Sequence, residues 1–181
     1  MPRVTTTERA GTFSRRERTD RTPRLSIVRC VIDHVEVVDA ALTDKPVVRQ
    51  LLELYLYDFS EFVEADVDEN GLYGYEYLDN YWTDSDRAPL LFTVDGNWAG
   101  FALVRRGTPH DMAEFFVMRK YRRSGIGITA AHAVFARFPG AWQVRQMASN
   151  PAATIFWRRA IPVPFEEGTH AGGPMQTFVI E

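Results

Sequence analysis

EFFVMRKYRRSGIG, residues 114–127, is the most informative stretch of this chain. It joins an apolar run over residues 113–118, typical of a buried strand, to a glycine-containing turn. A helical pattern over residues 124–138 follows the turn and ends at Pro139-Gly140. This order predicts a crossover helix, which leaves the strands before and after it parallel in one sheet.

The turn has the features of an anion-binding site. The first N–H groups of a helix lack intrahelical partners and, with the helix dipole, favour an anion. Gly125 and Gly127 remove Cβ atoms that would hold a diphosphate away. Lys120, Arg122 and Arg123 add positive charge around it. Glycines alone also fit an ordinary tight turn, but the strand, the helix and the basic flank together favour phosphate binding.

Other patterns predict the elements on either side. The expected strands are residues 31–38, 90–94, 98–105, 142–147 and 176–180, and further helices are expected from residues 44 and 150. Asp95-Gly96-Asn97 favours a hairpin turn between two of the strands. The chain is therefore predicted to be α/β, with a mixed, largely antiparallel sheet and helices on both faces.

Composition limits the kind of protein this is. With 181 residues, 45% of them hydrophobic, the chain fits one domain, expected over residues 25–181. Residues 1–24 are rich in Arg, Thr and Ser and are expected to be a disordered basic tail, with a partner-binding arm as the alternative. A net charge of −3 argues against nucleic acid as a partner, and no apolar run is long enough for a bilayer. Cys30 is the only cysteine, which favours a reducing, cytoplasmic compartment.

Three motifs resemble those of the GNAT superfamily of N-acetyltransferases. Arg122-Arg123-Ser124-Gly125-Ile126-Gly127 is similar to its Arg/Gln-x-x-Gly-x-Gly/Ala motif, and Glu114-Phe115-Phe116-Val117 to its fourth strand. Asn150, Ala153 and Phe156-Trp157 are similar to its Asn-x-x-Ala-x-x-x-Tyr helix. Residues 55–62, with 114–117, resemble more narrowly a group of bacterial predicted acetyltransferases without an assigned substrate. The resemblance covers residues 31–180.

The resemblance implies where acetyl-CoA binds. The fourth and fifth strands, near Val117 and Val144, are expected to splay apart and admit the pantetheine arm, which pairs with the backbone of Phe116 and Val117. Asn150 is expected to contact the same arm. The diphosphate is expected on backbone N–H groups of the turn, namely those of Arg122, Arg123, Ser124, Gly125, Ile126 and Gly127. An amine then attacks the thioester directly, with the Val117 N–H as oxyanion donor and no metal.

Two positions bear on catalysis. Glu114 is a carboxylate in an apolar strand, and burial there raises its pKa, as suits a base acting through water. A structural carboxylate paired with an arginine is the alternative. Trp157 stands where many relatives have a tyrosine that protonates the leaving thiolate, and indole does not ionise usefully. Trp157 is therefore expected to be an apolar wall for the cofactor or simply core, with the proton coming from water, the amine or a tyrosine such as Tyr81.

The acceptor side is expected to be acidic. Eleven carboxylates and no Lys or Arg lie between Glu53 and Asp86. An acidic rim would concentrate a small cationic amine or a basic peptide end, although an ordinary solvated face is the alternative. The expected acceptor contacts are Asp58, Glu61, Tyr75 and Tyr81, the tyrosines through cation–π contacts. A GNAT-fold module that binds acyl-CoA without turnover is the alternative function, and a homodimer is left open.

Overall fold

The computed structural model describes residues 34–181. Its strands are β1 (Val35–Asp39), β2 (Arg87–Val94), β3 (Asn97–Arg105), β4 (His110–Val117), β5 (Gly140–Arg145), β6 (Glu166–His170) and β7 (Gly173–Ile180). Its α-helices are α1 (Lys45–Phe59), α2 (Asn80–Thr83), α3 (Ile126–Arg137) and α4 (Pro151–Ala160). The predicted tail, Cys30 and the start of the predicted first strand lie outside the described residues.

The strands form one mixed sheet with a gap in it. Their order is β1-β2-β3-β4-β5-β7-β6, and every neighbouring pair except β4–β5 is antiparallel. The parallel pair is joined only at His110↔Trp142 and Asp111↔Gln143. Beyond these residues β4 and β5 diverge, which confirms the predicted splay between the fourth and fifth strands.

Helices cover both faces of the sheet, as predicted. α3 and α4 pack on one face, where Trp142 and Trp157 belong to the larger buried cluster. α1 and α2 pack on the other, where Leu52 and Phe101 belong to a second cluster. Burying a large apolar side chain stabilises a fold by about 1.5–3 kcal/mol, so both faces hold the helices firmly against the sheet.

Local signals placed most element boundaries to within a few residues. Asp95 and Gly96 have φ of 50° and 75°, which is the geometry of the predicted tight hairpin turn. The crossover helix begins at Ile126 rather than residue 124, because Gly125 has a φ of 90° and ends the turn in a left-handed conformation. β6 was not predicted, because all five of its residues are exposed and none is a large apolar residue. α2, only four residues long, was also missed.

No helix in residues 34–181 combines the length and the apolar character needed to cross a membrane.

Candidate active site

The glycine turn presents a row of unpartnered backbone donors. Arg123 and Gly125 both have positive φ, at 65° and 90°, and the turn leads directly into α3. In the described part of the chain, the backbone N–H groups of residues 123–127 have no acceptor, whereas that of Arg122 donates to the Arg119 carbonyl at 3.2 Å. Consecutive N–H groups at a positive-φ turn and a helix start form a concave site for an anion. The expected donor set therefore begins at Arg123 and does not include the Arg122 N–H.

The Arg122 side chain hydrogen-bonds to β4 and α1 rather than contributing its charge freely to the turn. Its Nε donates to the Val117 carbonyl at 2.6 Å, and its Nη2 donates to the Asp58 Oδ2 at 2.5 Å. Arg119 contacts the same carboxylate, with 2.7 Å between its Nη2 and Oδ1. Partial burial alone would raise the pKa of Asp58, but the two arginines hold it below its ordinary value. Asp58 was expected to contact the acceptor. It lines the cleft, but its carboxylate is already paired with Arg119 and Arg122, so the acceptor contact stays a prediction.

The two glycines of the turn have different roles. A Cβ added to Gly125 would meet nothing within 4 Å, so its positive φ is what requires glycine. A Cβ added to Gly127 would lie 3.1 Å from Cε2 of Phe156 and 3.6 Å from Cγ2 of Val117. The second glycine therefore allows α3 to approach α4 and β4 closely, rather than opening the way to a diphosphate.

The end of β4 directs backbone groups into the gap. Met118 donates its N–H to the Ala99 carbonyl at 2.8 Å, and alternate residues of an antiparallel pair hydrogen-bond on opposite sides. Phe116 therefore pairs with β3, while Phe115 and Val117 face the gap. A Cβ added to Gly100 in β3 would lie 2.0 Å from the Phe116 carbonyl oxygen, which agrees with that carbonyl pointing toward β3. The Phe116 backbone, expected to pair with the pantetheine arm, is therefore used by β3, which leaves the backbone of Phe115 and the Val117 N–H free beside the gap.

One wall of the gap is aromatic. Trp157 is buried, with its ring centroid 5.1 Å from that of Phe115 and 4.9 Å from that of Phe156. Its indole N–H has no acceptor within residues 34–181. Asn150 caps α4, since its Oδ1 accepts the Ala153 N–H at 3.0 Å. Both Asn150 and Trp157 line the cleft described below.

Glu114 is held by two phenols. Tyr55 donates its hydroxyl to Oε2 at 2.5 Å, and Tyr75 donates to Oε1 at 2.9 Å. Burial raises the pKa of Glu114, although the two phenols and the positive charge of Arg105 oppose the shift. The expected raised pKa is therefore found, and the alternative of an arginine-paired carboxylate is not what the hydrogen bonds show. Sequence reasoning missed Tyr55, because the contact joins residues 59 positions apart.

The other expected acceptor residues are separated. Tyr75 contacts Glu114, and Glu61 lines the cleft from the end of α1. Tyr81 is buried, 2% exposed, and its hydroxyl has no hydrogen-bond partner among the described residues. Because the ring of Tyr81 is buried, its face is not exposed for a cation–π contact with an acceptor.

Several carboxylates of the acidic segment, residues 53–86, form hydrogen bonds or ion pairs within the fold. The Glu53 carboxylate accepts the Tyr73 N–H at 2.8 Å, and Asp68 accepts the Leu72 N–H at 2.9 Å. Asp79 forms an ion pair with Lys45 at 2.7 Å. These carboxylates, together with Asp58, do not form a free acidic rim.

A cleft of about 1410 Å³ connects these features through the gap. Gly125 and Arg123 line one end, and Arg105 and Arg145 line the other. Glu114 lines it from the side of the sheet covered by α1, and residues of α4 line it from the other side. The cleft therefore brings an anion-binding turn, the free backbone edge of β4 and a buried carboxyl group into one continuous space. No three His, Cys, Asp or Glu side chains in the described range are grouped so that they could hold a metal ion.

The chain has the fold of the GNAT N-acetyltransferases. The PaiA N-acetyltransferase of Thermoplasma acidophilum, in complex with coenzyme A, is similar over 81% of this chain and 99% of its own, with a TM-score of 0.61 and 13% identity. An acetyltransferase of Thermus thermophilus matches 81% of this chain and 97% of its own, with a TM-score of 0.61 and 12% identity. The ribosomal-protein-S18-alanine N-acetyltransferase of Escherichia coli matches 81% of this chain and 94% of its own, with a TM-score of 0.57 and 14% identity. No family profile matches the sequence, and no curated protein matches it significantly.

Proposed function

We propose that this protein is an N-acetyltransferase that moves the acetyl group of acetyl-CoA to a primary amine by direct attack on the thioester. One observation carries the proposal: the N–H groups of the glycine turn, the free edge of β4 and the Glu114 carboxyl group all border the same cleft. The fold likeness to structures such as the coenzyme A complex of PaiA supports it.

The residues present fit acetyl-CoA. The N–H groups of residues 123–127 suit its diphosphate, and the exposed Arg123 adds a positive charge beside them. The backbone of Phe115 suits an amide group of its pantetheine arm, with Trp157 as an apolar wall, and the Val117 N–H is left for the attacked carbonyl. Acetyl-CoA supplies the activated acetyl group, and the protein supplies binding, orientation and proton transfer.

The reaction needs a donor for the oxyanion, a base for the acceptor ammonium and a proton for the leaving thiolate, and each has a candidate source. The Val117 N–H donates toward the negative charge that develops on the attacked carbonyl oxygen. Glu114 removes a proton from the acceptor ammonium through a water molecule, with Tyr55 and Tyr75 holding the carboxylate in place. Transfer forms the N–C bond and breaks the C–S bond, and the leaving thiolate takes a proton from water or from the amine. Tyr81 is a poor source of that proton, because its hydroxyl is buried and burial raises its pKa.

The amine of the acceptor enters as an ammonium group on the side covered by α1. Glu61 and Glu114 line that part of the cleft, and Glu64, Asp66 and Glu69 are exposed nearby in the chain. These charges support a small cationic molecule or a basic peptide end as acceptor, with attraction that weakens as salt is added.

A second candidate function is an acyl-CoA-binding module without turnover. Trp157 favours it, because a tryptophan at this position has no ionisable phenol to protonate the leaving thiolate. Calorimetry with acetyl-CoA, followed by release of free thiol with and without a panel of amines, separates the two. Binding with amine-dependent thiol release is the expected result. Binding without amine-dependent release would replace the enzyme by the module, and the absence of binding would overturn both.

A further inference from the structure

Arg105 is a cation in the cleft that the reaction described above does not use. It is the last residue of β3, its side chain is 45% exposed, and it lines the cleft. Its nearest carboxylate contact is 3.9 Å, from its Nε to the Asp111 Oδ2, and the only other polar side chain beside it in the described residues that bears on its pKa through a hydrogen bond is Tyr81. A guanidinium has five donors in a fixed fork, so Arg105 has capacity for an anionic ligand.

The neighbouring carboxylate is already satisfied by another arginine. Asp111 has a side chain only 7% exposed, and both of its oxygens accept hydrogen bonds from Arg145, one of them from Nε at 3.2 Å. Arg145 also contacts Nε2 of His170 at 3.2 Å. Two arginines thus share one carboxylate, which leaves about one positive charge in excess at this end of the cleft. Burial alone would lower the pKa of Arg105, but the negative charge of Asp111 and the nearby tyrosines raise it, and its charge is permanent.

This charge is far from the glycine turn and near Glu114. Arg105 pairs with Asp111, and Val117 lies six positions after Asp111 in β4, about 20 Å at the rise of a strand. Glu114 lies only three positions after Asp111, about 10 Å. Arg105 is therefore out of reach of a diphosphate on the turn but close to the carboxyl group that faces the acceptor. Arg105 and Glu114 lie on the same face of the sheet, because Arg105 is two residues after Leu103 in β3 and Leu103 pairs with Glu114.

A second polar group near Arg105 also has unused hydrogen-bonding capacity. The Tyr81 hydroxyl is buried beside Arg105 and makes no hydrogen bond of good geometry in the described residues. A buried hydroxyl without a well-aligned partner is destabilising, and a polar ligand group beside Arg105 would relieve part of that cost.

We propose that the acceptor is an aminocarboxylate, with Arg105 binding its carboxylate while its amine lies toward Glu114. The inference rests on the proposed acetyltransferase function and narrows its substrate class. A zwitterionic acceptor also suits a cleft that carries both signs of charge. Its ammonium group is attracted by Glu61 and Glu114, and its carboxylate is attracted by the excess positive charge at Arg105. Asp111 and Arg145 hold the surroundings of Arg105 in place.

The test compares acceptors that differ only in the anionic group. Phenylalanine, its amide, its decarboxylated amine and the corresponding aminophosphonate are offered with acetyl-CoA to the full chain and to Arg105→Gln, and the same comparison is made with lysine and its decarboxylated amine. A charge-assisted hydrogen-bonded pair is lost in the variant, so the preference in kcat/KM for the aminocarboxylate should fall about 10- to 150-fold. Loss of the Arg105 charge also raises the pKa of Glu114, so kcat/KM is compared at a pH above that pKa, where the value for the decarboxylated amine should fall much less than the value for the aminocarboxylate. Arg105→Lys should keep an intermediate preference, and Arg49→Gln, which removes an exposed arginine of α1 outside the cleft, should keep all of it.

Binding is measured in parallel, by calorimetry of the same ligands with the protein saturated by acetyl-CoA. Binding of the aminocarboxylate that depends on Arg105, without acetylation, would sink the proposed function but support the assigned site. A wild type that neither binds nor acetylates aminocarboxylates, or prefers the amide or the decarboxylated amine, would overturn the inference. So would equal preferences in the wild type and Arg105→Gln. A preference for the aminophosphonate that depends on Arg105 would also overturn the assignment to carboxylates.

Discussion

Gly125→Glu places a carboxylate in the row of N–H groups at the glycine turn. The backbone at this position has a φ of 90°, and an added side chain would meet no atom within 4 Å of its Cβ. The new side chain therefore extends into open space beside the expected diphosphate without disturbing a packed neighbour. Gly125→Gln is the matched control, because it has the same size and the same backbone strain but no charge.

Two effects are expected, and they can be separated. A left-handed conformation costs a non-glycine residue about 1–2 kcal/mol, which lowers Tm by about 2–8 °C in both variants. Repulsion between two unit charges about 5 Å apart, at an effective dielectric constant of about 20, is about 3 kcal/mol, and this falls only on the glutamate variant. Its affinity for acetyl-CoA should therefore be about 100-fold weaker than that of the glutamine variant.

Isothermal calorimetry with acetyl-CoA measures the difference, and circular dichroism with thermal unfolding checks that both variants fold. The affinities are compared at low ionic strength and again at high salt, where the gap should narrow because the side chain is exposed. Equal affinities of the glutamate and glutamine variants at low salt would refute the placement of the diphosphate at this turn.

Three further predictions concern other parts of the site, and a fourth concerns the sheet beside it. If Glu114 is the base, the rate falls as pH decreases through its raised pKa, and Glu114→Gln removes that limb of the pH profile; unchanged kinetics across pH would exclude the role. Tyr75→Phe removes a donor that favours the charged carboxylate, so the same limb should move to higher pH, whereas a move to lower pH would contradict the contact. Trp157→Phe should keep most of kcat and Trp157→Tyr should bring no large gain; a loss of about 100-fold in kcat for the phenylalanine variant, with intact acetyl-CoA affinity, would show that the indole takes part in the chemistry. Gly100→Ala would bring a Cβ 2.0 Å from the Phe116 carbonyl oxygen, and the forced shift should lower the free energy of unfolding by about 1–3 kcal/mol in urea titrations, so an unchanged value would contradict the close approach of β3 and β4.

Features that depend on neighbouring residues in the chain were predictable. The order of strand, glycine turn and helix around Gly125 follows from local apolar spacing and backbone freedom, and the cap of α4 follows from Asn150 before Pro151. The crossover and the two helix-covered faces then followed from the order of elements. The parallel pairing of β4 and β5 followed from the crossover helix, whereas the splay between them required the resemblance to a known fold.

Contacts between distant residues were not predictable in the same way. Asp58 and Arg122 are 64 positions apart, and nothing local in the acidic segment indicates that this carboxylate holds an arginine of the turn. The role of Tyr55 beside Glu114 depends on how α1 lies across the sheet. Likewise, Arg105 resembles any charged residue at a strand end until the register with Asp111 places it in the cleft.

Acetyltransferase activity itself is tested by incubating the wild-type chain with acetyl-CoA and a panel of primary amines, followed by mass detection of acetylated products. The panel includes aminocarboxylates, small diamines and short peptides, each paired with a reaction that lacks protein. We expect an acetylated amine that forms in proportion to protein concentration, with one free coenzyme A released per product and loss of the product in Gly125→Glu. Acetyl-CoA binding without any acetylated amine across the panel would contradict it.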